Sequence, residues 1–204
     1  GHSQGPERWF FRTPGWKIVA QATPADAEGL MAAAERDDNP VMFIEAKGLY
    51  GFFRNDLREE VPLGSAHEVP LGRAAVRVAG DDLTLVTYGA MLWTALEAAE
   101  RLADEGVGVE VIDLRTLWPL DVETLVTSIE KTNRLLVLHE DTRRGGLAGE
   151  LSAVLGDRAC FHLDAPIRRV TAPDTPVPYS PPLEHDFLPK PSDVVAAARE
   201  LLAV

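Results

Sequence analysis

Histidine, with the acidic residues beside it, is the side chain in this sequence best suited to proton transfer near neutral pH. His2 lies in a His2-Ser3-Gln4 loop directly before a predicted helix, whose N-terminus favours the neutral imidazole. His139 and Glu140 end a predicted buried strand, and open α/β sheets collect their ligands at the carboxyl ends of strands. Taken alone, His2 is far more typical of a surface histidine, and His139 and Glu140 are better interpreted as structural or interfacial than as catalytic.

Two further stretches could bind ions. The pair Gly145-Gly146 precedes a predicted helix and could offer backbone N–H groups to an anion. The turn at residues 34–39 could direct several carbonyls towards a hard monovalent cation, although its spacing is more typical of a helix end before a proline. The five histidines lack the close spacing of a zinc site, and no acidic run matches a calcium loop.

The elements that must position these residues are organised around a βαβ unit. Residues 83–86 form a short apolar run, and Gly89 then turns the chain into residues 91–102, where apolar side chains recur at helical spacing. Residues 109–112 form a second apolar strand. A right-handed crossover of this kind predicts a parallel sheet covered by helices.

Strands and helices alternate through the rest of this region, which predicts a doubly wound α/β domain. The predicted elements are a strand at 75–78, a helix at 121–131 capped near Asp121, a strand at 134–138, a turn at 139–146, a helix at 147–155, a weak strand at 160–163, a strand at 167–170 and a last helix at 192–202 with Ser192 as N-cap.

The first 50 residues read helix, strand, helix, strand, with Thr23 and Pro24 marking a well-specified helix start. So few strands cannot cover their helices, so we expect this segment to be the end of a larger domain. The predicted division is residues 1–53 as part of one domain, 54–70 as a charged, proline-containing linker and 71–204 as the C-terminal domain.

Composition limits the partners. The formal net charge of −12 argues against a nucleic-acid-binding surface, which is usually basic. No apolar run approaches the ~20 residues that a membrane span requires, and the single Cys160 fits a reducing compartment. Because the sequence opens without methionine, we expect a processed, truncated or partly recorded chain.

A series of short motifs follows one order along nearly the whole chain. They are His2-Ser3-Gln4, Pro6-Glu7, residues 13–19, Asp37-Asp38-Asn39-Pro40-Val41, residues 43–47, Leu49-Tyr50, residues 60–62, residues 69–72, residues 111–117, Pro119, Asp121, His139-Glu140, Gly145-Gly146 and residues 172–176. Together they resemble the β subunit of thiamine-diphosphate-dependent 2-oxoacid dehydrogenases, the decarboxylating first component of those complexes.

The resemblance implies a transketolase-like α/β architecture, with the C-terminal half of a pyrimidine-binding domain followed by a transketolase C-terminal domain. It implies thiamine diphosphate and magnesium as cofactors, held mainly by a preceding segment and by an α subunit, and potassium in several members. The implied partners are the α subunit, a second β subunit and a dihydrolipoyl acyltransferase, without nucleic acid or membrane. The implied location is the bacterial cytoplasm or the mitochondrial matrix.

Carried over by position, His2 matches the active-site histidine that serves while an acyl group moves to a lipoyl arm. The turn containing Ala34, Asp37 and Asn39 matches a potassium site built from backbone carbonyls. We expect the partner interfaces to include His139, Glu140, Asp174 and Val204. No residue of this chain is expected to bind the diphosphate.

The sequence also departs from the family pattern. Gly5 stands where serine is common, and Gly48 and residues 51–53 replace a frequent Ile-Leu-Tyr-Arg pattern, which affects the wall of the substrate pocket.

Two alternatives remain beside oxidative decarboxylation. The chain could be an assembly and acyltransferase-docking module without activity of its own, or part of a transketolase, deoxyxylulose-phosphate synthase or acetoin dehydrogenase relative. On the leading hypothesis the enzyme acts as an α2β2 assembly, and this chain alone is inactive.

Overall fold

The computed structural model describes residues 5–50 and 68–204. The first of these ranges contains α1 (Glu7–Phe11), β1 (Lys17–Ala20), α2 (Pro24–Glu35), β2 (Val41–Ile44) and a short 3₁₀ turn at Lys47–Leu49. This order confirms the predicted helix, strand, helix, strand pattern. Helix α2 begins as expected, because the Thr23 hydroxyl accepts a hydrogen bond from the Asp26 N–H at 3.1 Å and Pro24 follows the cap.

The second range contains most of the regular structure. Its elements are β3 (Ala75–Val78), β4 (Leu83–Thr87), α3 (Met91–Ala103), β5 (Val109–Asp113), β6 (Thr116–Trp118), α4 (Val122–Thr132), β7 (Leu135–Thr142), α5 (Leu147–Ala159), β8 (Arg168–Ala172), α6 (Pro181–Phe187) and α7 (Pro191–Leu202). Within the described ranges no helix is long and apolar enough to cross a membrane.

A five-stranded sheet has the order β3-β5-β4-β7-β8. From β4 the chain passes to β5 on one side and returns to β7 on the other, so the winding reverses between β4 and β7. Helices α3 and α7 pack on one face, and α4 and α5 pack on the other. Neighbouring residues of β4 serve both faces, since Leu85 contacts the first helix layer and Val86 the second. The doubly wound prediction is confirmed.

A smaller sheet, with the order β2-β1-β6, joins the two described ranges. Strand β1 pairs in parallel with β2 and antiparallel with β6, a three-residue strand that the sequence did not predict. Ile18 of β1 and Leu117 of β6 belong to the same core as α4 and α5. The first segment is therefore continuous with the C-terminal core. The domain boundaries remain a prediction, and most of the predicted linker lies outside the described residues.

A buried ionic network reinforces this junction. Arg77 of β3 binds Asp26 at the start of α2 and also Asp113 at the end of β5, whose Oδ2 lies 2.9 Å from Arg77 Nη2. Arg115 Nη1 approaches Asp26 Oδ1 at 3.4 Å. Burial raises the pKa of Asp113 to about 6. Because the carboxylates come from different parts of the chain, the network fixes the orientation of α2 on the large sheet.

Several predicted strands needed correction. Strand β3 is antiparallel to β5, although the crossover pattern predicted parallel pairing throughout. Strand β7 continues to Thr142, where a turn was expected from His139 onwards, because pairing with β8 extends to Ala172. Residues 160–163 do not form the expected strand: Cys160–His162 is a 3₁₀ turn that follows α5.

Two helix boundaries also differ. Helix α5 extends to Ala159 rather than ending at residue 155. The N-cap of α7 is Lys190 rather than Ser192, with Pro191 at the first helical position and the Asp193 carboxylate accepting the Lys190 N–H. Proline at this position and an acidic residue two places later explain the earlier start.

Candidate functional site

The carboxyl ends of β4 and β7 form the point where the sheet's winding reverses, which is where open α/β sheets usually bind ligands. Tyr88 follows β4, and Gly89 turns the chain into α3 with a φ of +57°. His139 lies in β7 beside Tyr88, and the two rings stack with centroids 6.2 Å apart. We refer to this place as the switch point.

Glu7 of α1 occupies the switch point. Its side chain is only 4% exposed, and its Oε1 accepts a hydrogen bond from the Tyr88 hydroxyl at 2.9 Å. Burial raises the pKa of Glu7, and burial together with the Glu7 charge raises the pKa of Tyr88. A side chain from the first segment thus fills the position where a ligand would be expected.

Arg8 fastens the same helix to the end of β7. Its Nη1 donates to Thr142 Oγ1 at 3.2 Å, and its Nε lies 4.0 Å from Asp141 Oδ2, which is buried. Helix α1 has only five residues and cannot be stable by itself. Its position therefore depends on these contacts and on Phe10 and Phe11, which pack against the core.

His139 is completely buried, and neither of its ring nitrogens has a hydrogen-bond partner within the described part of the chain. Burial lowers its pKa to about 4, so the imidazole is neutral at physiological pH. Gly146 packs against the ring: a Cβ there would lie 2.6 Å from His139 Cε1. This close contact explains the glycine before α5, for which the sequence had suggested an anion site.

The predicted interface residues differ in exposure. His139 offers no side-chain surface to a partner, because it is buried within its own chain. Glu140 is half-buried, with a pKa raised mainly by burial. Asp174 is exposed and accepts the Arg144 N–H at 2.8 Å, and Val204 is 74% exposed. Interface roles for Glu140, Asp174 and Val204 remain predictions.

An open cleft of about 420 Å³ adjoins the switch point. It is lined by Arg8, Thr142, Arg144, Asp174, Thr175, Pro176 and Val177. The cleft mixes both signs of charge, so its electrostatics do not select an anion or a cation. Arg8, whose contacts hold α1 against β7, forms part of its lining.

The predicted potassium turn is held in one conformation. The Ala34 carbonyl accepts the Asp37 N–H at 3.2 Å, and Asp37 Oδ1 accepts the Asn39 backbone and side-chain N–H groups at 2.9 and 3.0 Å. Lys17 pairs with the Asp37 carboxylate and, with these bonds, lowers its pKa to about 2. Lys17 already neutralises the Asp37 side chain, and a potassium site built from the carbonyls of this turn stays a prediction.

No side-chain metal centre is apparent: residues 5–50 and 68–204 contain no group of three or more His, Cys, Asp or Glu that could hold a metal ion. His2, the predicted catalytic residue, lies outside the described residues. The sequence did not indicate that Glu7 and Tyr88 form a pair. A glutamate in a first helical turn is common, and nothing local links it to a tyrosine 81 residues away.

Comparisons with known proteins agree with this architecture. Residues 72–194 match the family described as "Transketolase, C-terminal domain". A solved structure, "Split gene transketolase, inactive beta4 tetramer", is similar with a TM-score of 0.77 and 26% identity, over 96% of this chain and 61% of that one.

Three curated relatives come from Bacillus subtilis. The chain is 44% identical to 2-oxoisovalerate dehydrogenase subunit beta and 42% identical to pyruvate dehydrogenase E1 component subunit beta, over 98% of this chain and 60% of each relative. It is 43% identical to acetoin:2,6-dichlorophenolindophenol oxidoreductase subunit beta, over 98% of this chain and 57% of the relative. The chain thus spans about three fifths of the length of these relatives.

Proposed function

The chain belongs to the transketolase C-terminal domain family, and we propose that it forms part of the β subunit of a 2-oxoacid dehydrogenase's decarboxylating component. The observation that carries this proposal is 42–44% identity to such β subunits along 98% of the chain. The proposed reaction decarboxylates a 2-oxo acid and transfers the acyl group to a lipoyl disulfide. One sulfur of that disulfide takes the acyl group, and the other is reduced to a thiol.

Thiamine diphosphate, when bound, supplies the reactive carbon for decarboxylation. We propose that an α subunit and residues outside this chain hold the diphosphate and magnesium, as the similarity to the β subunits implies. His2 is proposed to donate or accept a proton during acyl transfer.

The test uses the full-length chain assembled with its α partner, magnesium and thiamine diphosphate. Reduction of an artificial electron acceptor is followed with pyruvate and with 2-oxoisovalerate. We expect turnover with one of these acids, and no turnover when the α partner is left out. His2→Ala should abolish lipoyl acylation with cofactor affinity intact, whereas the exposed His185→Ala serves as the matched control. Unchanged lipoyl acylation in His2→Ala would remove the role proposed for this residue.

A second candidate is an acetoin-oxidising enzyme. Its support is the 43% identity to the acetoin oxidoreductase β subunit, which the 42–44% identities to the other relatives do not outweigh. Acetoin is therefore added as a third substrate in the same assay. Turnover of acetoin without turnover of either 2-oxo acid would select this candidate.

The proposed assembly contains two α and two β subunits and docks a dihydrolipoyl acyltransferase. The net charge of −12 and the exposed end of the chain at Val204 support an electrostatic docking surface for a basic binding domain. Docking affinity should then weaken clearly as ionic strength rises. An affinity independent of salt would exclude this docking mode.

Two further assignments complete the proposal. Potassium is proposed to bind the carbonyls at Ala34, Asp37 and Asn39, where the observed hydrogen bonds already order the turn. The proposed location is the bacterial cytoplasm or, for a eukaryotic protein, the mitochondrial matrix. Relatives in Bacillus subtilis and a mitochondrial relative in Dictyostelium discoideum support both settings.

A further inference from the structure

We propose that Glu7 makes the attachment of α1 to the large sheet sensitive to pH: its protonated carboxyl holds α1 at the switch point, and its ionised carboxylate loosens the helix. This inference does not depend on the reaction proposed above, because it concerns only the contacts of α1 with the ends of β4 and β7. A rise in pH would then release α1 while the rest of the core stays folded.

Three carboxyl groups lie close together where α1 meets β7. Glu7 is 4% exposed, Asp141 is 3% exposed and Glu140 is half-buried. Burial, and after it the charge of Asp141, raises the pKa of Glu7. Burial and the charges of Glu7 and Asp141 likewise raise the pKa of Glu140. The three groups therefore resist being ionised together.

Arg8 is the cation that faces this cluster from α1 itself. Its Nε lies 4.0 Å from Asp141 Oδ2, and its Nη1 donates to Thr142 Oγ1 at 3.2 Å. The Arg8 charge also lowers the pKa of Glu7, but by less than burial raises it. One guanidinium directed at Asp141 therefore leaves an ionised Glu7 without full compensation.

The two other titratable groups that pack against Glu7 do not change charge near neutral pH. Burial and the Glu7 charge raise the pKa of Tyr88 well above 10, so its hydroxyl remains the donor to Glu7 Oε1 at 2.9 Å. Burial lowers the pKa of His139 to about 4, with a smaller effect of the same sign from Arg169 of β8. Glu7 and its carboxylate neighbours are left as the groups that titrate. Other charged groups at this end of the sheet include Arg143, Arg144 and Asp174.

Ionisation of Glu7 is costly because its second oxygen is buried without a partner. Within the described residues, neither Glu7 Oε2 nor Asp141 Oδ2 has a hydrogen bond. A buried charge that lacks hydrogen bonds costs much more than a neutral carboxyl in the same place. Helix α1 has only five residues, so it relies on such contacts, and Phe10 and Phe11 are its apolar anchors in the core.

The direction of the effect follows from the raised pKa of Glu7. The docked helix binds the Glu7 proton more tightly than a released helix, in which the carboxyl is exposed to water. The contribution of this proton to docking is fully present below pH 4.5 and is lost as the pH rises through the raised pKa. Because one proton is involved, the equilibrium between released and docked α1 changes by at most about tenfold per pH unit.

The experiment is hydrogen exchange of the full-length chain between pH 5 and pH 9, followed by mass spectrometry. The protection factor of the amides of α1 is taken relative to an unstructured peptide at the same pH. We expect this factor to fall as the pH rises, by up to about tenfold per unit. The amides of β4, whose five residues are all buried, are the internal reference and should keep their protection.

Two variants and a control identify the group responsible. Glu7→Gln keeps an acceptor for the Tyr88 hydroxyl and carries no charge, so α1 should stay protected at pH 9. Glu140→Gln removes a neighbouring charge and should lessen the fall in protection, which decides the question if Glu7→Gln does not fold. Glu35→Gln, on the exposed side of α2, should behave as the unmodified chain does.

Protection of α1 that stays constant from pH 5 to pH 9 in the unmodified chain would overturn the inference. An equal fall in the unmodified chain and in Glu7→Gln would also overturn it, since another group would then be responsible. The measurement needs neither substrate nor cofactor, so its failure leaves the proposed function standing. Absence of lipoyl acylation would conversely leave this inference intact.

Discussion

Arg77 is the most informative single side chain for the junction between the two sheets. It pairs with Asp26 of α2 and with Asp113 of β5, and both carboxylates are at most 3% exposed. Arg77→Met keeps most of the aliphatic volume and removes the charge. Asp113 then loses its guanidinium partner, whereas Asp26 keeps Arg115 at 3.4 Å.

The expected cost follows from burial. Removing one partner of a buried ion pair costs about 3–5 kcal/mol, because an uncompensated charge stays behind. For a domain of this size 1 kcal/mol corresponds to about 2–4 °C, so the melting temperature should fall by about 6 °C or more. The exposed pair of Arg101 with Glu97 provides the control, since Arg101→Met should cost less than about 0.5 kcal/mol.

The effect of Arg77→Met on the free energy of unfolding should depend on pH through the pKa of Asp113. Burial raises the pKa of Asp113 from its ordinary value of 3.8 to about 6, so the folded protein binds this proton more tightly than the unfolded chain. The stability that this group contributes is fully present below pH 3.8 and is lost as the pH rises to about 6. Loss of Arg77 raises the pKa further. The difference in free energy of unfolding between unmodified and Arg77→Met protein should therefore be larger at pH 8 than at pH 5.

The measurement is thermal and urea-induced unfolding of the full-length chain at pH 8 and pH 5, followed by circular dichroism. A melting temperature within 2 °C of the unmodified protein's at pH 8 would refute the reasoning. A larger difference at pH 5 than at pH 8 would refute the electrostatic part of it.

Three other predictions test separate parts of the structure. Burial holds the pKa of His139 at about 4, so the stability that the neutral imidazole contributes above pH 6.5 should be lost as the pH falls towards 4, by on the order of 3 kcal/mol. The melting temperature of His139→Leu should therefore depend less steeply on pH over this range. An unchanged slope would show that His139 is not the group responsible. Asp121→Ala should lower the free energy of unfolding by about 1–2 kcal/mol, because Asp121 caps α4 through the Thr124 N–H at 3.3 Å and also accepts the Ala74 N–H at 3.0 Å. In urea unfolding, Asp121→Asn should retain most of this stability. Equal losses in both variants would show that the charge matters rather than the cap. Replacing KCl by choline chloride at equal ionic strength should lower the melting temperature of the assembled protein if the turn at residues 34–39 binds potassium, and identical melting curves would remove that site.

The sequence predicted the layered core well, because the relevant signals are local. The apolar run before Gly89 and the helical spacing that follows it mark β4 and α3, and both lie where expected. The N-cap at Thr23 with Pro24 likewise marks the start of α2. Each of these elements is long enough, or sufficiently well capped, for its own residues to determine it.

What the sequence could not predict depends on contacts between distant residues. Strand β6 has only three residues and forms by pairing with β1, about a hundred positions earlier. Strand β3 runs antiparallel to β5, and nothing in its own residues indicates which way it runs relative to its neighbour. The Glu7–Tyr88 contact has the same origin, because its two residues lie 81 positions apart in the sequence.

The most direct test of the proposed function is mass spectrometry of a lipoyl domain incubated with the full-length chain, its α partner, magnesium, thiamine diphosphate and a 2-oxo acid. We predict that the lipoyl domain gains the acyl group of that acid only when both chains and thiamine diphosphate are present. Acylation that proceeds equally without the α partner or without the cofactor, or that never occurs with any of the tested acids, would contradict the assignment.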